Sequence, residues 1–182
     1  MSLILDPARL GLSKPTLVTA FAAVAVCEAI EAVCAKTPQI KWVNDIFLDE
    51  KKICGILTEV IREWIVVGIG INFSTAEAEF PKDLRQVARA IFPCGNPPVS
   101  RNQLVGEVIS RMLVPAYPYI EENLLEKYKQ RLMMLGKKIL VTGSGQPYEA
   151  IALDIDDTGS LIVRKNTGEV VSLSSGEVSI RL

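Results

Sequence analysis

Histidine is absent from all 182 residues. Its absence removes the commonest general base at neutral pH, the Ser-His and Cys-His nucleophile pairs, and most zinc sites. Any chemistry falls to lysine, aspartate, asparagine, backbone amides or a bound cation. Cysteine is scarce: Cys27, Cys34, Cys54 and Cys94 form no Cys-x-x-Cys pair, and three lie in strongly apolar stretches. Reduced, buried thiols in a cytoplasmic protein are therefore expected, not a disulfide framework. Net charge is nearly missing as well, at −1, which argues against nucleic-acid binding driven by phosphate neutralisation. Repeats and low-complexity tracts are lacking. With 49% hydrophobic and 23% charged residues, the chain has the balance of a folded globular protein.

A membrane span is also missing. The longest apolar run, "LVTAFAAVAVCEAIEAVC" from Leu17 to Cys34, carries Glu28 and Glu31 near one end, and only Lys14 precedes it closely. It is too short and too acidic for a comfortable span and has no basic leader or cleavage site, so a helix buried on most sides is expected.

What is present reads as α+β. "MSLILDP" is a strand closed by Asp6-Pro7, and its position suggests a chain that starts inside a sheet whose earlier strands are missing. "LSKPT" supplies helix-start residues, and an alanine-rich helix is predicted from about Pro15 to Lys36. Ile40–Trp42, Ile46–Leu48, Ile53–Val60 and Trp64–Ile71 read as four short strands, with "LDEKK" as a hairpin turn and "IREW" as a tight reversal. With no helices between them, neighbours should pair antiparallel. Beyond Asn72 the pattern predicts a polar loop, a short helix near Asp83–Phe92 and a breaker-rich loop at "PCGNPP". A helix opened by a Ser100/Gln103 capping box then runs to about Leu113. Pro115 and Pro118 interrupt, and a further amphipathic helix extends to about Leu135. From Gly136 the character changes to five short strands between Gly-containing turns, the pattern of a small SH3-like barrel. Two domains are expected, 1–135 and 136–182.

Three stretches hold the residue types that do chemistry. Lys41, Trp42, Asn44 and Asp45 crowd a cation, an amide and a carboxylate between two strands. Asn-Asp there is either a plain turn or a site where Asp45 holds Mg²⁺ beside a phosphate. Lys51 and Lys52 sit at a hairpin, where a lysine pair is commonly a solvated tip. Lys52, however, leads into Ile53-Cys54-Gly55-Ile56-Leu57, and a glycine inside a strand marks close approach of something to the backbone. "VVGIGINF" has Gly68 and Gly70 two apart, with no third glycine and no following helix, so the dinucleotide-binding fingerprint fails. Glycines at that spacing bare one sheet face, either for close packing of a helix or for a flat ligand, with Asn72 at the strand end. Read as adjacent antiparallel strands, Asn44, Asp45, Lys52 and Asn72 converge over Gly55, Gly68 and Gly70. That is a floor for an anionic, partly apolar small molecule.

"KWVND…KKICGIL…VGIGIN" resembles the core signature of biotin protein ligases: Lys-Trp-Pro-Asn-Asp, then Lys-x-x-Gly-Ile-Leu, then Gly-x-Gly-x-Asn. The ending "SGEVSIRL" and the alanine-rich helix are similar to that family too. The resemblance implies a class II aminoacyl-tRNA synthetase/biotin ligase-like core followed by an SH3-like domain. It also implies ATP-dependent ligation of biotin, through biotinyl-adenylate, to a lysine of a carboxylase carrier domain. By this resemblance Lys52 is the catalytic residue, meeting both the biotin carboxylate and the α-phosphate. Gly55, Ile56, Leu57, Gly68 and Gly70 lie along biotin. Lys41, Trp42, Asn44, Asp45 and Asn72 lie along ATP, with Asp45 near Mg²⁺.

Two departures stand out. Val43 replaces the family's proline, and no Gly-Arg-Gly-Arg stretch occurs anywhere in the chain. The sequence thus reads as N-terminally truncated, with weak or no activity expected of the chain alone. Without the helix-turn-helix domain of some members, no DNA binding is expected. Two other readings stay open: a non-enzymatic fragment that binds a carrier domain or partner subunit, and a lipoate-protein ligase relative. A homodimer through an exposed sheet edge is a further expectation.

Overall fold

The computed structural model describes residues 1–6, 14–113, 120–142, 146–174 and 177–180. Pro115, Pro118, the Gly-Ser-Gly turn at 143–145, most of the Ser-Ser-Gly turn and Leu182 lie outside them.

The fold is α+β, with two five-stranded antiparallel sheets and three α-helices among the described residues. The first sheet holds β1 (Ser2–Leu5), β2 (Gln39–Lys41), β3 (Asp45–Leu48), β4 (Lys51–Ile61) and β5 (Trp64–Ile71), in the order β1-β5-β4-β3-β2. All neighbours pair antiparallel, as the absence of intervening helices predicts. Asp49 and Glu50 both take positive φ in the hairpin that joins β3 to β4, and Arg62 does so in the next reversal.

Helix α1 (Val18–Cys34) follows a short 3-10 turn at Pro15–Leu17 and ends where Ala35 turns left-handed. Alanine and valine occupy most of its length, and nearly every side chain is buried. It lies between layers, touching β3 and β4 on one side and α2 (Arg101–Leu113) and α3 (Ile120–Arg131) on the other. That double burial explains a helix with apolar residues all round. Its two acids face the outer helices: Glu28 pairs with Arg111 and Lys127 at 2.9 Å each, and Glu31 with Arg131 at 3.0 Å. No helix among the described residues is long and apolar enough to cross a membrane.

The capping box forms. Gln103 N donates to Ser100 Oγ at 3.2 Å, and Ser100 N donates to Gln103 Oε1 at 2.7 Å. The helix expected near Asp83–Phe92 does not form. Leu84 O accepts from Val87 N and Ala88 N in a single turn, and the remaining backbone groups are spent elsewhere. Lys52 N donates to Val87 O, Arg89 N to Lys52 O, and Ile91 N to Asn72 O. This arm takes the place beside β4 that β5 leaves after Ile71, so ladder bonds outcompete a helix. Helix α3 stops at Arg131, four residues short of expectation, because Met133 N donates to Ile40 O and Leu132 bridges Ile40 alongside β2.

The second sheet has β6 (Lys138–Thr142), β7 (Tyr148–Ile155), β8 (Leu161–Lys165), β9 (Val170–Leu173) and β10 (Glu177–Ile180), in the order β10-β6-β7-β8-β9. Ile139, Val141, Ala152, Leu161, Val163 and Val178 alternate inward and are buried.

Candidate active site

Two cross-strand features build the site. The first is a row of directly opposed residues, Lys41, Asp45, Gly55 and Gly70, running across β2, β3, β4 and β5 on the face turned away from α1. The opposite face of the same strands carries Ile40, Ile46, Ile56 and Ile69, all at most 3% exposed. Two positions of the row being glycine, the backbone lies bare there.

The second feature is a bulge. Ile46 opposes Cys54 while Phe47 opposes Lys52, so Ile53 is an extra residue on β4. Lys52 and Gly55 are three apart, an odd spacing that in a regular strand puts them on opposite faces. The bulge buries Ile53 and Cys54 in succession and returns Lys52 to the face of Gly55. A Cβ added at Gly55 would lie 3.4 Å from both Cε and Nζ of Lys52 and 3.7 Å from Asp45 Oδ1. Lys52 Nζ meets Asp45 Oδ1 at 2.6 Å.

Over this floor opens a cavity of about 850 Å³. Lys41, Asp45, Lys52, Gly55, Gly70 and Asn72 line it, so six of the sequence-predicted residues come together. Phe80 with Leu84, Val87 and Ala88 of the arm line one part of it, and Met133, Lys137 and Ser179 another. These lining residues escaped the sequence reading. The signal that finds them is apolar exposure: Leu84 and Val87 are 41% and 54% exposed because they face the cavity rather than a core.

The other predicted residues lie off the cavity. Trp42 is 3% exposed, with its indole Nε1–H donating to Gly159 O at 2.9 Å. Asn44 donates from Nδ2 to Ile56 O at 2.7 Å and accepts from Ile56 N at its own carbonyl, so it ties the turn to β4. Ile56 points into the core, whereas Leu57 and Gly68 oppose one another on the open face, outside the cavity lining. Leu57 and Trp64 are exposed on that face beyond the glycine row.

Electrostatically the cavity sets Lys41, Lys52 and Lys137 against Asp45 and Glu50, with no arginine among its described lining residues. Lys41 also stands 5.8 Å from the centre of the Phe47 ring. Cys54 borders the cavity, but burial, with the Asp45 charge adding to it, pushes its thiol up to about 12. It is therefore protonated and inert as a nucleophile at neutral pH. Tyr128, wholly buried, is likewise raised by burial, and its hydroxyl donates to Val43 O at 2.7 Å. Among the described residues no three acidic, Cys or His side chains group to cage a metal. Asp45 alone, meeting Lys52 through Oδ1, suits a magnesium ion that is bound mainly by a ligand's phosphates. Fixed ammonium groups over an uncovered backbone are equipped to hold carboxylate and phosphate oxygens and to offset charge that gathers on them.

Residues 1–74 match the profile described as Biotin/lipoate A/B protein ligase family, and residues 134–181 match Biotin protein ligase C terminal domain. The chain is 30% identical over 179 residues to the Bifunctional ligase/repressor BirA of Bacillus subtilis, covering 92% of this chain and 54% of the relative. It is 29% identical over 163 residues to the Biotin--[acetyl-CoA-carboxylase] ligase of Mycobacterium tuberculosis, covering 86% of this chain and 59% of the relative. The chain thus spans little more than half the length of these relatives. Its fold matches that of the Aquifex aeolicus biotin protein ligase in complex with biotin and ATP. The TM-score is 0.81 at 24% identity, over 99% of this chain and 76% of the other.

Proposed function

The chain belongs to the biotin protein ligase family, and from that premise we propose that its cavity binds biotin and ATP and supports ligation of biotin to a lysine of a carboxylase carrier domain. The observation that carries this reading is the ammonium of Lys52 over the Gly55–Gly70 floor, 2.6 Å from Asp45. In the first step a biotin carboxylate oxygen attacks the α-phosphorus of ATP. The new oxygen–phosphorus bond forms as the bond to the bridging oxygen of pyrophosphate breaks. Lys52 offsets the negative charge on the phosphoryl oxygens during that exchange, a task that needs positioning rather than a proton carrier and so proceeds without histidine. In the second step the neutral amine of the acceptor lysine attacks the acyl carbon, AMP leaves, and the proton passes to solvent.

Lys41 and Asn72 flank the nucleotide end, and Asp45 is the carboxylate that would hold Mg²⁺, which when bound neutralises phosphate charge. Gly55 and Gly70 let the flat acyl chain lie on the strands. Trp42, Asn44 and Ile56 serve by holding the site's frame, and Leu57 and Gly68 extend the same face. We assign 1–135 to a catalytic unit and 136–182 to an SH3-like domain. Three lysines, and no arginine, line the cavity among the described residues, few cations for a triphosphate, and slow turnover by the chain alone is part of the proposal. Pairing of two copies along β1, an edge strand of the first sheet among the described residues, is part of the same reading, and sedimentation as a monomer at high concentration would remove it.

Incubating the chain with biotin, α-labelled ATP and a carrier domain tests the proposal. The expected result is slow formation of biotinyl-adenylate that Lys52→Met lowers about 10²–10³-fold. Carrier binding with no biotin or ATP binding would replace the reading with that of a docking fragment, and preferential use of lipoate would move it to the lipoate branch.

A further inference from the structure

The turn that carries Asn44 and Asp45 has three outside holds, each from a different element. Tyr128 of α3 donates to Val43 O at 2.7 Å. Asn44 exchanges two hydrogen bonds with Ile56 of β4. Trp42 donates its indole N–H to Gly159 O, 117 residues away, in the turn joining β7 to β8. The first two holds belong to the layers around the first sheet. The third reaches into the second sheet.

That distant turn is itself pinned. Asp156 Oδ1 accepts from Thr158 N at 2.9 Å, Thr158 Oγ1 at 2.5 Å and Ser160 N at 3.0 Å, and its Oδ2 accepts from Ser172 Oγ at 2.9 Å. Gly159 takes φ of +82°, a conformation that side chains disfavour, and a Cβ there would lie 3.5 Å from Leu17 Cδ2. Lys14 reaches Asp157 Oδ2 at 2.5 Å and Lys129 reaches Asp154 Oδ1 at 2.9 Å, so two ion pairs also tie residues next to this turn to segments before the second sheet. Lys137 and Ser179 of the same C-terminal portion line the cavity.

We infer that the Asp156–Ser160 turn is a positioning element for the site: through the Gly159 carbonyl it holds Trp42, and through Trp42 it fixes Asp45 against Lys52. The physical basis is that a buried N–H gives up its bond only at substantial cost. Trp42 therefore keeps one orientation while the second sheet stays docked, and loses it when that turn loosens. Trp42 is a positioning residue here, since it does not line the cavity. The inference rests on the cavity being the ligand site, so its test begins without ligand.

Hydrogen exchange of the Trp42 indole N–H and the Asn44 and Gly55 amides is measured by NMR in the whole chain. Trp64 supplies an exposed indole as internal reference. Asp156→Ala is expected to speed exchange of the Trp42 indole about ten-fold and to shift the Asn44 and Gly55 signals, because the turn opens locally. Asp156→Asn, whose amide oxygen still accepts from Thr158 and Ser160, is expected to restore both. Trp42→Phe, which keeps an aromatic side chain but removes the donor, is expected to shift Asn44 and Gly55 alike. Should Asp156→Ala unfold the second sheet, judged by the amides of Ala152 and Val163, Thr158→Ala takes its place with the same expectations. An unchanged Trp42 indole beside a loosened turn, or unmoved Asn44 and Gly55 signals in Trp42→Phe, would overturn the inference. ATP titration then separates the two levels. Wild type that binds no ATP would defeat the functional reading while the exchange result stands. Wild type that binds it, with Trp42→Phe equally tight, would defeat the positioning role in binding.

Discussion

The two sheets obey the same alternation and use it differently. In the second sheet, Ile139, Val141, Leu161 and Val163 turn inward, and polar residues such as Lys138, Arg164 and Ser172 alternate outward. In the first sheet the inward set is equally apolar, Ile46, Ile56, Val67 and Ile69, yet the outward positions at the centre are Gly55, Gly68 and Gly70. A strand gains nothing from outward glycine, which costs backbone entropy and offers no cross-strand pair. The contrast teaches that one sheet alternates polar residues on its outward face, whereas the other gives up stabilising contacts there and leaves bare backbone, the floor on which the proposed ligand would lie.

Substitutions in the two sheets should therefore separate stability from binding. The largest effect belongs to the core of the second sheet. Leu161→Ala removes a fully buried side chain and should lower unfolding free energy by about 2–5 kcal/mol in urea titration. Lys52→Met should do the reverse. Stability should change by less than about 1 kcal/mol, since its partly exposed ion pair is weak, while adenylate formation falls about 10²–10³-fold in kcat. Equal losses of stability in both variants would erase the contrast.

Within the first sheet the glycines should divide. A methyl at Gly55 meets the Lys52 amine at 3.4 Å, whereas at Gly68 the nearest atom is Leu57 O at 3.7 Å. Gly55→Ala should slow adenylation about ten-fold by displacing the ammonium from the phosphoryl oxygens. Gly68→Ala should leave the rate unchanged, and steady-state kinetics with biotin and ATP compares the pair.

The smallest effect lies beneath the first sheet. Burial pushes the Glu28 carboxyl up, but the Lys127 hydrogen bond and the charges of Lys127, Arg111 and Arg131 outweigh it and hold it below 4.5. A depressed carboxylate contributes stability that is present above its unfolded value and lost as pH falls through the folded one. Glu28→Gln should therefore cost about 1–2 kcal/mol at pH 7 and flatten the loss of stability below pH 4.5 expected of wild type, as urea titrations across acid pH would show.

Much of this was legible in the sequence. Short apolar runs located the strands of the first sheet, apolar stretches between Gly-containing turns those of the second, Asp49-Glu50 the hairpin, and Ser100 with Gln103 a helix start. These are local signals, settled within a few residues. The glycines of "CGIL" and "VGIG" marked the bare face, and register then placed Gly55 opposite Gly70. The convergence of Lys52 with Gly55 depended on the Ile53 bulge, which no local pattern announces, because a bulge is chosen by the pairing of β3 with β4. The arm at 83–92 has helical spacing, yet its backbone groups bond to Lys52, Asn72 and Phe73. Trp42 read as a ligand residue, while its indole N–H bonds to Gly159, in the turn between β7 and β8 of the second sheet. What the sequence withheld was, in each case, a long-range partner.

The central claim is that ligand lies on the Gly55–Gly70 floor under Lys52. Titrating the isotope-labelled chain with a non-hydrolysable biotinyl-adenylate analogue, and following backbone amides by NMR, addresses it directly. Saturable shifts centred on Gly55, Gly70 and Asn72, absent in Lys52→Met, are predicted. Shifts confined to the second sheet, or identical in Lys52→Met, would contradict it.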